Sequence, residues 1–217
     1  MSATNNPNQL LVEGWDDLFS VVGLMSAHVS WPSGKNRAPV YIHMGNGADE
    51  ILKDGFLTAF LKGSVVRTFG VLLDADSKPR GRYSRIHTLC LSLFPAMPPD
   101  LPPEGLVVDN PISGKRFGVW IMPDNSAEGC LETFLRHLVP DVSEPVWQHA
   151  VESMRGAKAI GCPCHDVHIS KANLYTWLAW QDPPGQSPGQ SLTRKVLDPH
   201  SASASPFVAW FRRLYEL

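Results

Sequence analysis

Short apolar runs alternate, over the first two-thirds of the chain, with stretches whose apolar residues recur every three to four positions. Leu10-Leu11-Val12 and Phe69-Gly70-Val71-Leu72-Leu73 have the length and aliphatic content of buried strands, and residues 40–44, 106–108 and 116–122 add three more. Between them, residues 17–30 place Leu18, Val21, Val22, Leu24 and Met25 at helical spacing, ending at Trp31-Pro32-Ser33-Gly34. Further helices are predicted over 49–60, 82–90 and 129–138, the last with Leu131, Phe134, Leu135 and Leu138 on its buried side. Pro95, Pro98, Pro99, Pro102 and Pro103 form a breaker. Alternating strands and helices predict an α/β fold: a mostly parallel sheet covered on both faces, whose ligands gather beyond the carboxyl ends of the strands.

From Pro145 onward the pattern is helical, with helices expected over 146–154, 170–180 and 206–215. Residues 182–189, rich in proline and glycine, read as a loop, and 201–205 as a polar break. The expected organisation is an α/β domain over 1–144 with a helical C-terminal extension, 145–217, packed on it. Phe207, Trp210, Phe211 and Leu214 share one helix face and read as core contacts in preference to a base-stacking platform.

With 217 residues, 43% of them apolar and 18% charged, the chain can bury a substantial core. A formal charge of −2 argues against a broadly basic surface, although Lys78, Arg80, Arg82 and Arg85 could meet phosphates locally; the other reading of Lys78, Arg80 and Arg82 is a solvated loop. No apolar run approaches the roughly 20 residues that span a bilayer, and the polar start lacks the form of a signal peptide, so a cytoplasmic protein without membrane contact is expected. Cys90, Cys130, Cys162 and Cys164 then read as reduced thiols. Cys162-Pro163-Cys164-His165, with His168 nearby, offers zinc donors, but the Cys-x-Cys gap is tight and no second pair follows; a loop of ordinary cysteines and histidines is the other reading. His43, His87, His165 and His168 have no partner identifiable from sequence and read as core or surface residues.

The candidate chemistry lies where two strands end in acids. Glu13 closes the first, Gly14 permits a sharp turn, and Asp16 and Asp17 follow at a helix start. Asp74 and Asp76 close the third and, two positions apart on a strand whose side chains alternate faces, point the same way. Carboxylates brought together repel unless a proton or cation intervenes, and Mg²⁺ or Mn²⁺ takes such oxygen ligands with waters and substrate phosphate. Asp17 could instead cap a helix, and Asp124, at another strand end, is an alternative ligand.

Val12-Glu13-Gly14-x-x-Asp17, followed by an apolar strand ending in Asp74-Ala75-Asp76, resembles the Toprim pattern of topoisomerases, bacterial primases and OLD-type nucleases. Residues 72–82, 119–125 and 176–181 extend the similarity to small Toprim-like bacterial proteins known as DUF3226, over nearly the whole chain. The resemblance implies a Toprim-like fold, Glu13 as acid or base, and Asp74 and Asp76 as metal ligands. Its OLD-type branch further implies a second cation at Asp17 and Glu132, and Lys171 steadying phosphate charge; the alternative for Glu132 is a solvent-facing helix residue. Two such metals roughly 4 Å apart stabilise the attacking and leaving oxygens of a phosphodiester. The expected function is a divalent-metal-dependent nuclease with Glu13, Asp74, Asp76 and Lys171 catalytic, acting on DNA or RNA. The rival is a non-catalytic module sensing nucleic acid or nucleotide in a defence or repair complex. With no P-loop present, ATP hydrolysis would need a separate ATPase partner, and self-association is conceivable.

Overall fold

The computed structural model describes residues 5–32 and 37–217, so Ser33 and Gly34, expected at a helix end, lie outside the described residues. Five strands, β1 (Asn8–Val12), β2 (Tyr41–Met44), β3 (Thr68–Asp74), β4 (Leu106–Asn110) and β5 (Lys115–Met122), form one sheet in the order β2-β1-β3-β5-β4. All neighbours are parallel except β4, which pairs antiparallel with β5 at one edge. Pairing of Leu10 with Gly70 and of Gly70 with Gly118 fixes the register across the centre.

Side chains alternate across this sheet as a period of two requires. Leu10, Val12, Leu72, Trp120 and Met122 enter one apolar cluster, while Leu11, Val71, Leu73, Val119 and Ile121 enter the other. The first cluster includes α1 (Trp15–Met25) and residues of α5 (Leu131–Arg136), α6 (Glu144–Ala159), α7 (Ile169–Ala179), α8 (Pro188–Thr193) and α9 (Ser205–Tyr215). The second is covered by α2 (Ala48–Ile51), α3 (Phe56–Lys62) and α4 (Pro79–Cys90). One core therefore runs from β1 through to the last helix, and Phe207, Trp210, Phe211 and Leu214 are buried in it. Because α1 leaves β1 on one face and α2 leaves β2 on the other, the chain reverses direction across the sheet at β1 and β3. Such a reversal opens a crevice beyond their carboxyl ends.

Three elements differ from the sequence reading. The helix expected over 49–60 breaks into α2 and α3, because Gly55 adopts a left-handed φ of 84°. The first helix stops at Met25, with Ser26 as its cap. The loop expected over 182–189 ends inside α8, where Pro188 sits in the first turn; there its missing N–H costs nothing. Ser187 Oγ accepts from Gln190 N at 3.4 Å and Gln190 Oε1 accepts from Ser187 N at 3.2 Å, a reciprocal cap. No helix among the described residues is long and apolar enough to cross a membrane.

The last helix is seated on two glycines. A Cβ at Gly70 would lie 2.6 Å from Tyr215 Oη and 2.8 Å from Leu10 Cδ1, and one at Gly118 would lie 2.6 Å from Leu214 Cδ2. Tyr215 Oη, so admitted, donates to Gln9 O at 2.8 Å. Gly70→Ala is expected to displace Tyr215 and α9 from the sheet and to cost about 1–3 kcal/mol, read as a lower urea midpoint at unchanged slope.

Candidate functional site: carboxylates at the ends of β1 and β3

Glu13 follows the last residue of β1 and turns its carboxylate toward the adjoining strand. Oε1 accepts from Asp74 N at 2.8 Å and Oε2 from Ala48 N at 3.0 Å, so one side chain ties β1 to β3 and to the start of α2. Burial nonetheless raises its pKa, against the pull of both N–H groups and of Arg82.

Asp17 lies in the first turn of α1 and accepts from Gly14 N at 2.9 Å through Oδ2. It is thus the helix cap that its position allowed. It is also only 8% exposed, and burial, followed by repulsion from Glu13, pushes its carboxyl up to about 7. Asp74 ends β3 and reaches across to α5, accepting from Leu131 N at 2.9 Å. Burial, then the charges of Asp17, Glu13 and Glu132, drive its carboxyl up to about 9. Glu132, in the first turn of α5, is buried at 7% exposure and does not face solvent, because α7 covers it. Four acids from β1, α1, β3 and α5 are therefore close enough to repel one another.

Asp76 parts from this group. The strand ends at Asp74, and Asp76 takes a left-handed φ of 50° while pairing main chain with Gly129 in both directions at 2.8 Å. Strand alternation therefore does not extend to Asp76. Its carboxylate is exposed and accepts from Arg82 at 2.7 Å, with Asp49 the second anion on that guanidinium at 3.4 Å. Arg82 and Arg85, which is bound to Asp54 at 2.8 Å, are thus committed to acids; α4 carries both, in agreement with the helix expected over 82–90, and its start at Pro79 takes in Arg80 and Arg82, for which a loop was the other reading.

Lys171, in the first turn of α7, reaches the acids from the C-terminal half. Its Nζ donates to Asp16 Oδ2 at 2.8 Å and stands 3.5 Å from Glu132 Oε1. Burial opposes the charge, but these carboxylates raise the ammonium pKa overall. Tyr175 donates to the same Asp16 oxygen at 3.1 Å, and burial with that anion pushes its phenol up to about 12. Tyr175 was not singled out from the sequence; its only signal was a spacing of one helical turn from Lys171. Asp16 thus orients a lysine and a tyrosine beside the buried acids.

The other candidates lie apart. Asp124 Oδ1 accepts from Ser126 N at 3.0 Å and Ala127 N at 2.7 Å, and these bonds hold its carboxyl below the usual range. His43 is buried, bonds Gln9 Oε1 at 2.8 Å, and burial lowers its pKa to about 4. Cys162 and Cys164 are free and half-buried between α6 and α7. Among the described residues no group of three or more His, Cys, Asp or Glu side chains is arranged to hold a metal ion.

No curated protein and no solved structure matches the chain significantly. A family model described as "Protein of unknown function (DUF3226)" matches residues 7–216, and the chain belongs to that family.

Proposed function

We propose that the protein is a Toprim-like, divalent-metal-dependent phosphodiester hydrolase acting on nucleic acid, with residues 145–217 as a helical extension of the α/β unit. The observation that carries this reading is the mutual repulsion of Glu13, Asp17, Asp74 and Glu132 at the reversal point between β1 and β3. Carboxylates raised as Asp17 and Asp74 are, first by burial and then by neighbouring carboxylate charge, are unfavourable in isolation and are characteristic of functional sites. A divalent cation would lift that penalty.

The donor chemistry suits Mg²⁺ or Mn²⁺, since every group is a carboxylate oxygen. A carboxylate has about four acceptor positions, so one or two main-chain bonds leave room for a cation. Asp17, Asp74 and Glu132 are the ligands favoured here, with Glu13 bound to the Asp74 and Ala48 main chain and Asp76 held aside by Arg82. Their side chains must turn toward one another to close on an ion, because no ready-made group is present among the described residues. Bound there, the ion would polarise a phosphodiester and lower the pKa of a water. Lys171, fixed by Asp16 and Tyr175, would offer its ammonium to developing phosphate charge. ATP-dependent action would call for an ATPase on another chain.

The test is cleavage of plasmid, single-stranded DNA and RNA with Mg²⁺ or Mn²⁺. The parent protein is expected to cut at least one substrate, and Asp74→Ala to lose about 100-fold or more while retaining its circular dichroism. Parent protein that leaves every substrate intact under both metals rejects the hydrolase.

A second reading, a non-catalytic Toprim-like module that binds nucleic acid or nucleotide, is favoured by one observation. Both oxygens of Glu13 already bind main-chain N–H groups, and Asp76 is ion-paired, as in a structural rather than a reactive site. Calorimetry with saturable metal or nucleic-acid binding and no turnover would select it.

A further inference from the structure

Two large aromatic side chains stand in solvent beside the acids. Trp15 is 62% exposed and Phe19 48% exposed, and their rings stack at 5.7 Å and 15° on the outer face of α1. Trp15 opens that helix immediately before Asp16, the anion that holds Lys171 and Tyr175. Phe19, one turn on, forms the near wall of an open groove of about 270 Å³ between α1 and α8, lined also by Val22, Thr193 and Arg194.

The groove follows from glycine contacts. A Cβ at Gly23 would lie 2.7 Å from Gly189 O, and one at Gly189 would lie 2.5 Å from Phe19 O, so both positions must lack one for the helices to touch. Phe19 and Arg194 line the groove together with these two glycines. Arg194 is exposed and, like Arg80 and Arg155, makes no ion pair among the described residues, but it alone of these lines the groove. Leading away from the acids, then, come an exposed indole, an exposed phenyl ring, a cleft, and an unpaired guanidinium.

We propose that Trp15, Phe19 and the α1–α8 groove bind single-stranded nucleic acid, with bases stacking on the two rings and a backbone phosphate meeting Arg194. Stacking on an aromatic face suits unpaired bases of any sequence, whereas a duplex keeps those faces covered. A free cation close to the rings supplies the charge complementarity that a purely apolar partner would not use. The proposal deepens the hydrolase reading by naming its substrate class and rests on it only for what is cut; binding itself requires no turnover.

Fluorescence anisotropy with the full chain tests this, using labelled oligo(dT) and oligo(rU) of about 12 nucleotides and the matching duplexes, a length suited to a single aromatic track. EDTA prevents cleavage, and a parallel series in Ca²⁺ screens the acids. Single strands are expected to bind more tightly than duplex, Trp15→Ala and Phe19→Ala each to weaken them about 10- to 100-fold, and Trp15→Phe to recover part of the loss. Arg194→Ala is expected to reduce the dependence on salt by about one phosphate contact. Unchanged affinity in both aromatic variants, absence of binding in both series, or equal affinity for duplex overturns the proposal. So does sedimentation showing that the aromatic variants abolish a dimer while oligonucleotide binding persists, which would assign the patch to a second copy of the chain. Absence of cleavage would sink the hydrolase, and cleavage surviving Asp74→Ala would sink its assignment to these acids, without touching these binding results.

Discussion

Stripped of divalent cations and melted at pH 8, the Asp74→Asn protein is expected to unfold at a higher temperature than its parent, with the advantage gone at pH 4. Asp74 ordinarily titrates near 3.8, but burial and three neighbouring carboxylates raise it to about 9 in the folded protein. Between those values the native state holds a proton that the unfolded chain has released. Stability is therefore full below about pH 4 and falls as pH rises toward 9, by at most about 1.4 kcal/mol per pH unit for each such group. Asp17, raised to about 7, adds a second contribution of the same sign between about pH 4 and 7. Water entry and side-chain adjustment reduce the sum to the order of a few kcal/mol, or roughly 5–10 °C for a chain of this size. Asparagine keeps an oxygen for Leu131 N while removing the titration. Mn²⁺ is expected to raise the parent's melting temperature at pH 8 and to do much less for the variant. A parent whose melting temperature is level or rising from pH 5 to 8.5 would show that these acids are not confined together.

The sheet was legible because its strands carry short, mainly apolar runs, and β1 and β3 had to be neighbours for their terminal acids to share a crevice. Proline and glycine misled where they start or interrupt helices rather than merely end them. Pro188 begins α8, and Gly55 divides α2 from α3. The positions of Glu13 and Asp74 followed from strand ends, but their immediate partners did not. Asp74 N, Ala48 N and Leu131 N are main-chain donors, which every residue has and no side-chain pattern advertises. Asp76 was extrapolated along a strand that ends two residues before it, and only the Gly129 bridge shows why its side chain meets Arg82. Burial of Glu132 depends on α7 lying over α5, a contact between segments almost 40 residues apart that periodicity within either helix cannot encode.

Glu13 is expected to behave oppositely to Asp74 although both are half-buried acids whose pKa values are raised. Glu13→Ala leaves Asp74 N and Ala48 N without the carboxylate that now accepts from both, at the junction of β1, β3 and α2. Each bond to a charged acceptor contributes about 1.5–3 kcal/mol. Removing the charge also relieves Asp17 and Asp74, for which Glu13 is a source of repulsion. That relief is partial, because Glu132 remains and burial is the larger cause of both shifts. The two lost bonds outweigh it, and a net loss of about 2–3 kcal/mol at pH 7 is expected by chemical denaturation. Glu13→Gln should lose much of the same stability, since its amide can accept at one N–H but must present a donor to the other. Opposite signs in Glu13→Ala and Asp74→Asn would divide the acidic cluster into a clamp that holds the crevice together and a strained carboxylate available to a ligand. A Glu13→Ala protein more stable than its parent would instead place Glu13 with Asp74 among the strained groups, and loss of activity in that variant could then be read as chemistry rather than as unfolding.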